Sequence, residues 1–182
     1  MPPQLKSVIG PYHSAPATCQ DYDPCAVEVA QRIEQMIGAQ LPAVQVEHIG
    51  STAVPGCAGK GIVDLMVLYP DGHLEAVKAL LDTLGFQRQT GRDPFPEERP
   101  MRVGSLEHQG RVFRLHVHVI AATSPEATAL RTFRDRLRAD AALRAAYVAR
   151  KREIIASGVT DSIDYCLAKG TFVEEAISKL IT

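Results

Sequence analysis

The chain has 182 residues, 46% of them hydrophobic and 23% charged, and 20 lysines and arginines set against 21 acidic residues leave a net charge of −1. Those proportions exclude a disordered chain, and the near-neutral balance gives no global electrostatic footprint for nucleic acid or an anionic membrane. No apolar run approaches the roughly 18 residues that cross a bilayer, and the N-terminus lacks a signal peptide's long apolar stretch, so the sequence reads as one soluble, cytoplasmic domain over 1–182.

Residues 1–23 hold four of the twelve prolines and little periodicity, which predicts an extended arm. Asp23-Pro24 opens a helix by the N-cap and N1 preferences. Ala26, Val29, Ala30, Ile33, Met36 and Ile37 then recur at helical spacing as far as Gly38, which is expected to end it. Residues 43–49 alternate as a strand. Residues 50–60 form a loop of small residues, and 62–68 are apolar but for Asp64, the pattern of a central strand buried on both faces. Pro70-Asp71-Gly72 is a turn, 73–84 an amphipathic helix stopped by Gly85, and 86–88 a short strand. Residues 89–100, with three prolines, read as a surface loop. Two antiparallel strands, 101–107 and 111–120, follow around His108-Gln109-Gly110. The α/β core thus spans 24–122. Ser124-Pro125-Glu126 then starts a C-terminal region, 123–182, of two or three helices with breaks near Asp140, Gly158 and Gly170. The order predicts an α+β fold, a mixed sheet with helices packed on it.

Three places carry chemistry. In the loop after the first strand, Gly50, Ser51 and Thr52 let backbone and hydroxyls approach a phosphate, and Lys60 adds charge. It is no P-loop, because Gly59-Lys60 is followed by Gly61 and Val54 stands at the first glycine position. A tight connection that merely needs glycine is the structural alternative. Asp64 is costly inside IVDLMVL unless paired, hydrogen-bonded or metal-bound. Period-two alternation puts Arg114, His116 and His118 on one face. There, with Asp64, the histidines could hold a metal, bind an anion, or simply be satisfied on the sheet. Glu47 and His48 point to opposite faces, so one should meet the site. The basic run from Arg131 to Arg152 reads as a solvated helix face. Cys19, Cys25, Cys57 and Cys166 form no C-x-x-C pair and read as ordinary thiols.

Val46–Val67, VEHIGSTAVPGCAGKGIVDLMV, resembles the hallmark of the GrpB family. Further matches are His116-x-His118-Val119, the stretch Phe133–Asp140, Tyr147 with Lys151, and Tyr165 with Lys169 and Phe172. The resemblance implies a nucleotidyltransferase-like mixed sheet flanked by helices, with a C-terminal helical segment. Superfamily members bind a triphosphate at a Gly-Ser turn and hold two divalent metals on carboxylates of the next strand and a later one. Carried over, Gly50 and Ser51 match the turn and Asp64 the first carboxylate. The second carboxylate position is Met66, and the later strand offers His116 and His118. Methionine is no ligand for a hard cation. The resemblance therefore implies at most one divalent cation (Mg, Mn or Zn) on Asp64, His116 and His118, which are also the catalytic candidates. The phosphate-binding candidates are Gly50, Ser51, Thr52, Lys60, Arg114, His48, Lys151 and Lys169. The expected partner is a nucleotide or other phosphorylated small molecule, with family fusions hinting at coenzyme A metabolism. A nucleotidyltransferase, a non-catalytic nucleotide- or coenzyme A-related binding module, and a single-metal enzyme all remain open at this point.

Overall fold

Val63–Tyr69 (β2) has the composition of a strand covered on both sides, and the sheet is built around it. In the computed structural model, which describes residues 8–178, five strands stand in the order β1-β2-β5-β4-β3, with β1 Gln45–Ile49, β3 Gln87–Arg88, β4 Met101–His108 and β5 Arg111–Ala121. β2 pairs antiparallel with β1 and parallel with β5, while β5–β4 and β4–β3 are antiparallel. The β4–β5 hairpin turns on Gln109 (φ 51°) and Gly110 (φ 73°), both in the left-handed region that a two-residue turn of this hand demands.

The sheet has two different faces. On one, Val46, Leu65, Val67, Leu115, Val117 and Val119 pack against helices α1 (Cys25–Gln40) and α2 (Leu74–Leu84), forming the main core with Ile9 of the arm. On the other, α3 (Pro125–Ala139) covers only part of the sheet, over Ile49, Met66, Leu68 and Ile120. Asp64, His116 and Arg114 share this second face but lie beyond that apolar patch.

Most predicted elements form within a residue or two. Asp23 Oδ1 accepts the Cys25 N–H at 3.0 Å, and Ser124 caps α3 through the Glu126 N–H. Two expected breaks do not occur. Gly38 lies inside α1, which continues to Gln40 and stops ahead of Pro42. Gly170 lies inside α5 (Ser162–Ser178). A helical glycine costs only about 1 kcal/mol, and Ile37 on one helix and Tyr165, Phe172 and Ala176 on the other pack well enough to outweigh it. The expectation that the C-terminal helices all pack on the sheet is also corrected. α4 (Ala141–Ala156) and α5 pack on α3, on each other and on the loop at Val54, Cys57 and Ala58. That places them beside the site rather than beneath it.

Residues 1–7 of the predicted arm lie outside the described residues. Residues 8–23 are extended and tied down. Gly10 pairs with Ser105, Ala17 N–H bonds Thr160 O, and Gln20 pairs with Gly59. The four cysteines are free. Among the described residues, no helix is long and apolar enough to cross a membrane.

Leu115 is fully buried at the centre of the main core, whereas Leu167 on α5 is 70% exposed. Leu115→Ala should cost about 2–5 kcal/mol by urea denaturation and Leu167→Ala less than about 0.5 kcal/mol.

Candidate functional site

Asp64 opens β2 opposite Ile49 on one side and His116 on the other. Its Oδ1 lies 3.4 Å from His116 Nδ1, a long hydrogen bond, and 3.8 Å from His118 Nε2, an electrostatic contact. Burial disfavours the charge. The imidazole N–H groups more than offset this and hold the carboxyl below the usual carboxylate range. Gly50, at φ 72°, closes the other side: a Cβ there would stand 2.7 Å from Asp64 Oδ2, so only glycine lets the loop lie against the carboxylate.

The neighbours fix the tautomers. Arg99 places both terminal nitrogens 3.5 Å from His118 Nδ1, and a guanidinium can only donate. His118 therefore keeps its hydrogen on Nε2, facing Asp64. Arg99 is itself held by Glu126 at 2.8 Å and lies 4.8 Å from the centre of the Phe95 ring, which meets His118 edge-on. His116 Nε2 lies 3.0 Å from the Tyr12 hydroxyl. Arg114 donates to Lys60 O at 2.9 Å; burial pushes the Tyr12 phenol up, and the nearby Arg114 charge works against that rise. The ionised Asp64 can only accept, so His116 carries its hydrogen on Nδ1, and in the neutral ring Nε2 accepts from the Tyr12 hydroxyl.

Beside this cluster stand three lysines. Lys151 is fully buried on α4. Its Nζ donates to Ser51 Oγ at 2.9 Å, to Cys57 Sγ at 3.4 Å and to Ala58 O, and lies 4.3 Å from the Tyr147 ring centre. Lys60 donates to Ser162 Oγ at 2.6 Å, and the Lys60 and Lys169 ammoniums each lie 5.3 Å from the Tyr165 ring centre. Among the described residues none of the three meets a carboxylate. Burial lowers the pKa of Lys151 and of Lys60. Among them the Tyr165 hydroxyl is buried with no hydrogen-bond partner in the described residues. Three cations with no carboxylate in contact and an orphan hydroxyl donor in one place suit a ligand rich in anionic oxygens.

The fold thus brings together Gly50, Ser51, Lys60, Asp64, Arg114, His116, His118, Lys151 and Lys169. It turns Thr52 and His48 away. His48 sits on the core face opposite Leu65, its Nε2 at 2.9 Å from Thr52 Oγ1, which in turn donates to Ile62 O. Burial pulls this imidazole down to about 4, with Arg138 and Arg134 pushing the same way against Asp64. His48 and Thr52 pin the loop from below. Glu47 shares the face of Asp64 but is clamped by Arg131 and by Arg134 at 2.9 Å. The basic run is solvated only in part: Arg150 and Arg152 face solvent. Arg131 and Arg134 hold β1, Arg138 donates to Ala53 O at 2.9 Å, and Lys151 is inside.

Tyr12, Arg99 and the role of Cys57 escape sequence reasoning. Tyr12 and Arg99 stand in proline-rich segments without periodicity, and no local signal marks them. Met66 is fully buried under α3, so the second carboxylate position is part of an apolar core. A resident divalent cation does not fit the donors as they stand. Arg99 forces His118 Nε2 to keep its hydrogen, where a ligand needs a lone pair and a hydrogen on the other nitrogen. Among the described residues, no three His, Cys, Asp or Glu side chains form a group that could hold a metal.

The model of the GrpB protein family matches residues 16–179. The chain belongs to the GrpB family. It is 34% identical to a UPF0157 protein of Streptomyces coelicolor over 167 residues, covering 91% of this chain and 85% of that one. It is 28% identical to a UPF0157 protein of Halalkalibacterium halodurans over 172 residues, 92% and 84% of the two chains. Among solved structures, GrpB of Enterococcus faecalis superposes with a TM-score of 0.65 at 24% identity over 91% of this chain and all of that one. Cid1, described for its RNA terminal uridylyl transferase activity, gives a TM-score of 0.52 at 16% identity over 71% of this chain and 41% of that one. The GrpB fold is nucleotidyltransferase-like. At these identities the likeness extends to the fold alone.

In this GrpB chain the unfolded state binds a proton at residue 48 that the folded state refuses between about 4 and the ordinary 6.5. The stability from neutral His48 is full above about 6.5 and falls away as pH drops toward 4. His48→Gln, which can still donate to Thr52, should flatten this slope in urea midpoints measured across that window.

Proposed function

We propose that this GrpB protein binds the phosphate chain of a nucleoside triphosphate among Ser51, Lys60, Lys151 and Lys169 and transfers its nucleotidyl group to a hydroxyl. The observation that carries the reading is Lys151, a fully buried ammonium with a serine hydroxyl, a thiol, a carbonyl and a tyrosine ring around it and no described carboxylate. A phosphate oxygen over Ser51 would supply the missing negative charge. Lys60 and Lys169 would neutralise the leaving pyrophosphate, and the Tyr165 hydroxyl has a donor free for it.

The proton is handled by His116. Its Nδ1–H is steadied by Asp64 and its Nε2 already faces a hydroxyl at 3.0 Å, the arrangement of a general base with an orienting carboxylate. Asp64, held ionised, stabilises the imidazolium that forms. His118 and Arg99 keep Asp64 turned toward His116. Magnesium enters as part of the substrate, bound to its phosphates, and no step depends on a resident metal.

Buried Met66 favours a second reading, a binding module that holds a nucleotide or coenzyme A-related ligand without turnover. Thermal shifts with ATP, CTP, GTP, UTP and coenzyme A, each with Mg²⁺ and with EDTA, together with product analysis by mass spectrometry, separate the two. Ligand at about 100 Kd adds roughly 2.7 kcal/mol of stability. Nucleotide stabilisation should be lost in Lys151→Met and weakened in Lys60→Met, and turnover should fall about 10²–10⁴-fold in His116→Asn. Stabilisation with no product from any hydroxyl acceptor supports the binding module. No stabilisation by any of these ligands sinks both readings.

A further inference from the structure

The arm that sequence reading passes over supplies a hydroxyl to the base. Tyr12 presents its phenol to His116 Nε2 at 3.0 Å with the two rings 5.4 Å apart. Its backbone is fixed up to that contact. Gly10 pairs with Ser105, Ser105 Oγ donates to Pro11 O at 2.9 Å, and the Tyr12 N–H donates to Gln87 Oε1 at 2.8 Å. The phenol is therefore delivered in one pose, with most of the entropy of bringing acceptor to base already spent in folding. Of the nearby loop hydroxyls, Thr52 Oγ1 is committed to Ile62 O, and Ser51 is assigned above to the phosphate chain. Burial pushes the Tyr12 phenol up, and the nearby Arg114 charge opposes this and favours negative charge growing on the phenolic oxygen during attack.

We propose that Tyr12 is itself an acceptor, so that the protein transfers a nucleotidyl group onto its own Tyr12 hydroxyl. This rests on the nucleotidyl-transfer reading above and names the substrate hydroxyl of that site. As the bond from Tyr12 Oη to the α-phosphorus forms, the bond from that phosphorus to the oxygen bridging it to the β-phosphate breaks. The phenolic proton moves to His116 Nε2, and pyrophosphate leaves with the magnesium of the substrate toward Lys60, Lys151 and Lys169. The imidazolium then returns its proton to solvent. The products are an O-nucleotidyl tyrosine, a phosphodiester, and pyrophosphate, with no oxidant or further reactant. Because the product stays in the site over Arg114, the reaction stops at one group per chain and leaves the labelled protein with weakened triphosphate binding.

The test incubates the full chain with ATP, CTP, GTP or UTP and Mg²⁺ and reads intact and peptide masses. The expected result is a gain of one nucleoside monophosphate per chain on the peptide that holds Tyr12. Tyr12→Phe should abolish the label while keeping the thermal shift with the same nucleotide, and His116→Asn should slow labelling about 10²–10⁴-fold. Nucleotide stabilisation without a mass gain, a label on another residue, or transfer only to an added hydroxyl compound overturns the assignment of Tyr12 and leaves the lysine site standing. Absence of any nucleotide-induced thermal shift removes the functional reading beneath it as well.

Discussion

A lysine ammonium enclosed in protein is expensive unless something answers its charge, and a carboxylate usually does. Lys151 is enclosed on α4 and answered by neutral groups, the Ser51 hydroxyl, the Cys57 thiol, the Ala58 carbonyl and the Tyr147 ring. Those partners come from the loop after β1 and from α4 itself, so the ammonium ties the C-terminal helices to the loop that borders Asp64. The apolar contacts of Val54, Cys57 and Ala58 with Leu137, Tyr147 and Val148 hold the same joint. The cation is thus built into the packing that joins the helices to the sheet, and its environment is left with a deficit of negative charge. The proposed phosphate ligand would fill that deficit.

The unequal covering of the sheet explains where the chemistry sits. One face is closed by α1 and α2. The other is closed by α3 only over Ile49, Met66, Leu68 and Ile120, which leaves Asp64, His116 and Arg114 at its margin. There the arm and the loop between β3 and β4 reach in, with Tyr12 on His116 and with Arg99 and Phe95 on His118. A second carboxylate in place of Met66 would lie in the apolar layer under α3. The position that would hold metal in an orthodox two-metal site is spent on packing, and the histidines of β5 are engaged in hydrogen bonds.

Much of this is legible in the sequence wherever the signal is local. The run at Val63–Leu68, apolar but for Asp64, marks a strand buried on both faces, and the alternation of Arg114, His116 and His118 with Leu115, Val117 and Val119 gives their shared face. The long motif around Gly50–Asp64 places the loop against the carboxylate. What is hidden depends on partners distant in the chain. Tyr12 meets His116 across 104 positions, and Arg131 meets Glu47 across 84, so an extended arm and a charged helix face each conceal a specific contact. Gly38 and Gly170 mislead for the opposite reason, because a modest local penalty gives way to tertiary packing. The pairing of His118 with Arg99 is likewise a product of the fold.

The most direct measurement is NMR of the lysine side chains in labelled protein titrated with inorganic triphosphate. It reports on the buried ammonium without relying on turnover or on the identity of the nucleoside. The expected result is a saturable shift of the Lys151 signal together with those of Lys60 and Lys169, lost in Ser51→Ala or weakened by it, while exposed lysines move only weakly. A Lys151 signal that stays in place while surface lysines respond would contradict the assignment of this enclosed cation to phosphate binding.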